Sequence, residues 1–261
     1  MFNSKKIDWV IKNPYNVFKV SNFLKEEEFL RIEKNFPDYK NLNKNSLFKF
    51  KDNKFAITSG SQEYKEIILS NEVLRKFHEF VNGEDFKKVF FSNLFSNILF
   101  ARGFNLKHII KMLKIPRFVN KIDKNFFKKN LTIFSNFRIT IQYSYILNEG
   151  LIVPHPDAGD KILSLLLFFP QYKSDHKNSM KEKNYGTTFW KSNFKDEMER
   201  HISELAEQKN FKEKSNILYK SDFLKNHLVG FIKNKHSWHS VEPVNVHEEY
   251  VRKSININIY Y

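Results

Sequence analysis

His155 and Asp157 flank Pro156 shortly after Gly150, and a second histidine, His239, sits within Ser237-Trp238-His239-Ser240. Two imidazoles and one carboxylate form the ligand set of a mononuclear non-haem Fe(II) centre, which keeps coordination positions open for other molecules. Residues two apart on a β-strand share a face, so His155 and Asp157 can grip one ion from one strand. Pro156 then lies on the opposite face and, lacking an N–H, suits a strand end or edge, where a site opens outward. The same parity joins Arg252 and Ser254 in the β-branched, alternating run from Tyr250 to Tyr260 and turns both toward an interior beside the metal. Among the nine histidines, His236 and His247 are the nearest alternatives to His239 as third ligand.

A His-x-Asp triplet alone is a weak signal in a histidine-containing chain. Taken in order, however, His-x-Asp, Trp-His-Ser-Val and Arg-x-Ser resemble the pattern of the 2-oxoglutarate- and Fe(II)-dependent dioxygenases, in their prolyl-4-hydroxylase-like branch. Asn13 to Leu24 is similar to that branch's entry strand and first helix, Lys161 to Phe169 to the strand after the triplet, and Gly186 to Trp190 to the short segment before the distal half. The resemblance covers roughly residues 135 to 261, more thinly 13 to 60, and nothing specific between 61 and 134.

The resemblance implies a mainly β chain with flanking helices (α+β), built as a double-stranded β-helix or jelly-roll barrel. It implies His155, Asp157 and His239 as metal ligands; His239 is preferred because Val241 and Pro243 follow it as they do in the family. Arg252 would pair with the distal carboxylate of 2-oxoglutarate, a task suited to a planar, permanently charged fork. Ser254 would add a hydroxyl from the same face. Tyr145, ten residues before His155, matches a cosubstrate-binding tyrosine of some members, although Tyr143 shares its face and either can serve as core packing. Lys161 could reach cosubstrate or substrate, but a lysine entering a strand is more often exposed. Halogenating relatives lack the carboxylate ligand, so Asp157 points to oxygen insertion.

The implied cofactors are Fe(II), 2-oxoglutarate and O2, with ascorbate an optional addition. The implied reaction is hydroxylation of an unactivated C–H bond in an amino acid, a peptide or a sugar or polysaccharide intermediate, with release of succinate and carbon dioxide. A non-catalytic jelly-roll module binding sugar or peptide is the alternative, and a nucleic-acid demethylase ranks below it.

These residues need a scaffold. Ser21 or Asn22 can cap a helix over Lys25 to Asn35, whose Glu26, Glu27 and Glu28 suit the positive end of its dipole. Residues 62 to 130 read as helices bracing a sheet, among them Glu72 to Val81 and Leu106 to Leu113, with Pro116 ending the latter. Strands follow at Phe137 to Ile146, Ile152 to Asp157, Ile162 to Phe169, Thr187 to Trp190, Leu228 to Ile232, Ser240 to Val244 and Val251 to Tyr260. Residues 171 to 228 read as an insertion, polar over Tyr172 to Tyr185 and helically periodic over Lys195 to Gln208, at the expected rim of the site. Such loops often set substrate choice. Trp190 and Trp238 read as packing rather than pocket lining.

At 261 residues without repeat or composition break, the chain reads as a single domain, 1–261. The absence of cysteine excludes disulfides, thiolate catalysis and iron–sulfur ligation. A net charge of +15 is compatible with a polyanionic partner, but the lysines are scattered, and joint abundance of Lys, Asn and Phe is what an AT-rich genome produces. A nucleic-acid partner is therefore not expected. No long apolar leader or membrane-length apolar run occurs, so the expectation is a cytoplasmic protein with no membrane span; oligomeric state is open.

Overall fold

A computed structural model describes residues 1–3, 6–41, 53–102, 137–157, 159–171, 184–194, 202, 204–244 and 250–260. The helix expected over Leu106 to Leu113, most of the polar stretch after Tyr172 and residues 195–201 lie outside these.

Two antiparallel sheets carry the molecule. The larger contains β1 (Asp8–Ile11), β2 (Val17–Val20), β3 (Lys54–Thr58), β4 (Arg138–Leu147), β6 (Lys161–Phe169), β9 (Leu228–Ile232) and β11 (Val251–Tyr260). Its order is β1-β2-β9-β6-β11-β4-β3, so residues near both ends of the chain share one sheet. The smaller is β5-β10-β7-β8, built from β5 (Ile152–His155), β7 (Thr188–Ser192), β8 (Ser215–Lys220) and β10 (His239–Val241). From β4 onward the chain passes back and forth between the sheets, with only the β7–β8 pair consecutive in one sheet, the winding of a jelly roll.

Strand alternation divides the larger sheet into two faces. On β11, Val251, Ile255, Ile257 and Ile259 join one apolar cluster, on β4 Ile141, Tyr143 and Tyr145, and on β6 Leu163, Leu165, Leu167 and Phe169. The same cluster takes Phe29 and Ile32 of α1 (Glu26–Lys34), Tyr64 of α2 (Gln62–Ser70), Leu74, Phe77 and Val81 of α3 (Glu72–Asn82) and Phe86 and Phe90 of α4 (Glu84–Arg102). The helices thus brace this face. On the opposite face Ile146, Phe168, Val229 and Phe231 meet Phe189 and Val241 of the smaller sheet.

Local chemistry sets the helix starts. Ser61 accepts from Tyr64 N at 3.2 Å and Asn71 from Leu74 N at 3.1 Å, each side chain capping an orphan donor of the first turn. α1 departs from expectation: Lys25 holds its cap position with no side-chain cap bond, while Asn22 sits in the preceding turn at φ 49°. The three glutamates of its first turn supply the compensation through the helix dipole.

The segment read as an insertion is part of the framework. Its described residues contribute β7 and β8, half of the smaller sheet, and α5 (Leu205–Glu213) between them. On the outer face of that sheet Trp190, Ile202, Phe211 and Trp238 form a third cluster, so both tryptophans are packing.

Candidate metal centre

His155 ends β5 and His239 begins β10, and the two are direct partners across the antiparallel pair. Their ring centroids lie 4.2 Å apart. Each Nδ1 donates to a backbone carbonyl two residues earlier at 2.9 Å, His155 to Val153 and His239 to Ser237. With the proton on Nδ1, Nε2 is the nitrogen of each ring that could serve as a metal ligand.

Asp157 arrives differently from the strand alternation expected of it. β5 stops at His155, because Pro156 has no N–H to extend the ladder, and Asp157 takes the left-handed region at φ 69°. That conformation is uncommon for non-glycine residues and best tolerated by Asn and Asp. A tight turn, not strand parity, therefore swings the carboxylate under the imidazoles. Its Oδ1 lies 3.6 Å from His155 Nε2 and its Oδ2 3.9 Å from His239 Nε2. The three residues are buried, and their ligand atoms all fall within 4.8 Å of one another.

The carboxylate is held on its other side as well. Lys161 Nζ donates to Oδ1 at 2.7 Å and Ser164 Oγ to Oδ2 at 3.1 Å. Burial pushes the Asp157 carboxyl up, but Lys161 and the two imidazoles outweigh it and hold the group well below the usual carboxylate range. His239 is pushed down to about 3, by burial first and by His155 next, so its ring is neutral at physiological pH.

This cluster borders a cavity of about 240 Å³ that also receives Ser144, Arg252 and Ser254 from the larger sheet. Arg252 is 2% exposed. Its Nε donates to the Tyr185 carbonyl at 2.6 Å, and its guanidinium carbon lies 4.8 Å from the Phe223 ring centroid and 5.4 Å from that of Phe168. Burial lowers its pKa to about 10, which leaves it charged at neutral pH. Among the described residues no carboxylate pairs with it. Burying a cation is costly, and an incoming anion would offset that cost.

Tyr145 is a correction. It lies on the opposite face of β4, where its hydroxyl donates to the Pro37 carbonyl at 2.8 Å and its ring meets Phe36 and Tyr39. Alternation along β4 sends Gln142 and Ser144 into the cavity and Tyr143 and Tyr145 to the helices, so both tyrosines are core packing. Lys161, expected to be exposed, is instead largely covered against Asp157, with only 11% of its side chain accessible. Sequence reasoning also passed over Ser164, Gln142, Asn256 and Asn258. The signal for the last two was present, since Arg252, Ser254, Asn256 and Asn258 are polar at every second position of a strand whose intervening residues, Lys253 apart, are apolar.

Fold and site together define a jelly-roll protein with two histidines and one carboxylate gathered at the mouth of the space between its sheets. No protein-family model matches the chain, and no curated protein matches it in sequence. Solved structures do match. The non-heme alpha ketoglutarate dependent epimerase SnoN from nogalamycin biosynthesis aligns over 94% of this chain and 78% of its own, with TM-score 0.50 and 9% identity. A Pseudomonas putida prolyl-4-hydroxylase aligns over 95% and 93%, with TM-score 0.43 and 8% identity. HygX from Streptomyces hygroscopicus, with nickel, 2-oxoglutarate and hygromycin B bound, aligns over 94% and 82%, with TM-score 0.41 and 9% identity. At such identities the likeness, carried by SnoN, concerns the fold alone: the chain shares the two-sheet jelly-roll architecture of that structure.

Proposed function

We propose that this protein is an Fe(II)- and 2-oxoglutarate-dependent oxygenase that hydroxylates an unactivated C–H bond of a small-molecule, peptide or saccharide substrate. The observation that carries the reading is the buried His155–Asp157–His239 cluster sharing one cavity with the buried Arg252, which has no carboxylate partner among the described residues. The donor set fits the ion: two imidazoles, each with its Nδ1 proton given to a backbone carbonyl, and an ionised carboxylate would present hard and borderline ligands from one side. Arg252 fits the cosubstrate, because a dicarboxylate that chelates the metal at one end needs a cation for the other.

When bound, Fe(II) with 2-oxoglutarate and O2 supplies the oxidising power for C–H cleavage, with release of succinate and carbon dioxide. The chain's contribution is position and charge. His155, Asp157 and His239 would hold the ion on one side and leave the opposite side to cosubstrate and oxygen. Arg252, whose Nε donates to the Tyr185 carbonyl, would present its guanidinium to the distal carboxylate, while Ser254, whose hydroxyl donates to Asn256 Oδ1 at 2.9 Å, lines the same cavity. Leu166, Phe231 and Val241 add apolar surface to a cavity whose lining residues are otherwise largely polar.

Anaerobic reconstitution with Fe(II) and 2-oxoglutarate, followed by exposure to O2 and measurement of succinate, tests this. Wild type should release succinate even without added substrate, at a slow uncoupled rate. His155→Ala and Asp157→Ala should abolish release while circular dichroism reports an intact fold. Equal release by wild type and both variants would overturn the site assignment.

A further inference from the structure

Asp157 is the one ligand whose denticity decides how many positions remain for other molecules, and the structure gives both of its oxygens a prior partner. Lys161 Nζ is 2.7 Å from Oδ1, a charge-assisted bond within the buried site. Ser164 Oγ is 3.1 Å from Oδ2, but it also lies 3.2 Å from Asn258 Oδ1. A hydroxyl has a single hydrogen, so Ser164 cannot donate fully to both acceptors, whereas the ammonium of Lys161 has three. The two holds are therefore unequal: Oδ1 is gripped by a full cation and Oδ2 by a shared hydroxyl.

Both holds come from β6, directly after the turn that carries Asp157. Lys161 is its first residue and Ser164, three positions on, faces Asn258 across the β6–β11 pair. Lys161 packs as well against the end of β11, with Nζ 5.9 Å from the Tyr260 ring centroid. Asp157 itself sits in the left-handed region at φ 69°.

We infer that Lys161 is a positioning residue that keeps Oδ1 of Asp157 for itself, so that the carboxylate offers a metal one oxygen and not two. This rests on the metal-site reading above. A carboxylate free of Lys161 can chelate through both oxygens and close one of the positions that 2-oxoglutarate and O2 require.

Co(II) serves as the probe, loaded anaerobically into the full chain. Difference infrared spectra with ¹³C-aspartate labelling report the separation of the antisymmetric and symmetric carboxylate stretches, wide for one-oxygen and narrow for two-oxygen ligation. Lys161→Met should bind Co(II) with a narrowed separation at the Asp157 band and take up 2-oxoglutarate roughly 10-fold or more weakly, the scale on which groups supporting a ligand act. Lys161→Arg, which restores a donor cation, should recover both. A Lys161→Met protein with the wild-type separation and wild-type 2-oxoglutarate affinity would overturn the inference, as would a folded Lys161→Met protein that no longer binds Co(II). Failure of the metal site itself would look different: wild type and His155→Ala would then take up Co(II) alike.

Discussion

At the scale of single residues, charge placement in a buried space does most of the work. Arg252 is charged, 2% exposed and without a carboxylate among the described residues, and under the proposed function it would receive the distal carboxylate of 2-oxoglutarate. Hydrogen bonds to charged groups contribute about 1.5–3 kcal/mol each, so Arg252→Ala should raise the half-saturation for 2-oxoglutarate by roughly 10- to 100-fold while leaving Co(II) binding in place. A titration monitored in the metal's visible bands checks this. His239 makes a pH prediction for the metal-free protein. Its folded pKa is lowered to about 3 against an ordinary value of 6.5, so between these values the unfolded chain binds a proton that the folded chain refuses. Folding stability should therefore fall as pH drops from about 6.5 toward 3, and His239→Gln should flatten that part of the profile. Urea midpoints at pH 7 and pH 5, compared between the two proteins, are the measurement.

At the scale of elements, the site is assembled by strand ends and held by a few long-range bonds. The Tyr15 hydroxyl reaches the carbonyls of Trp190 at 3.1 Å and Trp238 at 2.8 Å, tying the segment before β2 to β7 and to the residue that precedes His239. Tyr15→Phe leaves those buried carbonyls without this donor and should cost about 1–3 kcal/mol of stability, read from chemical denaturation. Gly186 is a second such point. A Cβ there would overlap the Ser221 carbonyl, and its neighbours are Tyr185, which anchors Arg252, and Thr187, whose N–H donates to Ser221 Oγ at 2.8 Å. Backbone must move to admit it, so Gly186→Ala should weaken 2-oxoglutarate binding more than metal binding. Parallel titrations of the two ligands would reveal equal losses if the effect were merely a general loosening.

At the scale of the whole molecule, helices cover one face of the larger sheet and the smaller sheet covers the other, so the cavity sits between two fixed walls. Ligands that bind only the folded state stabilise all of it: at 100 times the dissociation constant the gain is about 2.7 kcal/mol. For a domain of this size that should raise the melting temperature by roughly 5–10 °C on adding Ni(II) with 2-oxoglutarate, and the shift should vanish in His155→Ala. No helix among the described residues is long and apolar enough to cross a membrane. Much of this architecture was legible in the chain itself. The two-residue period of β11 exposed Arg252 and Ser254 as a same-face pair, and the ordered His-x-Asp, Trp-His and Arg-x-Ser segments marked the residues that converge, because residue type and short-range spacing are written directly in sequence. Other features depend on contacts between distant segments. Tyr145 and Ser144 are neighbours on one strand, and only the packing of α1 and the following turn against β4 decides that the tyrosine belongs to the helices and the serine to the cavity. Lys161 is an ordinary strand-entry lysine until the left-handed turn at Asp157 brings a carboxylate to it. Local sequence fixes which groups alternate and what chemistry they can do; which face is inside, and which partner each buried charge finds, is settled by the tertiary structure, because burial and desolvation are properties of the assembled sheets and not of any one strand.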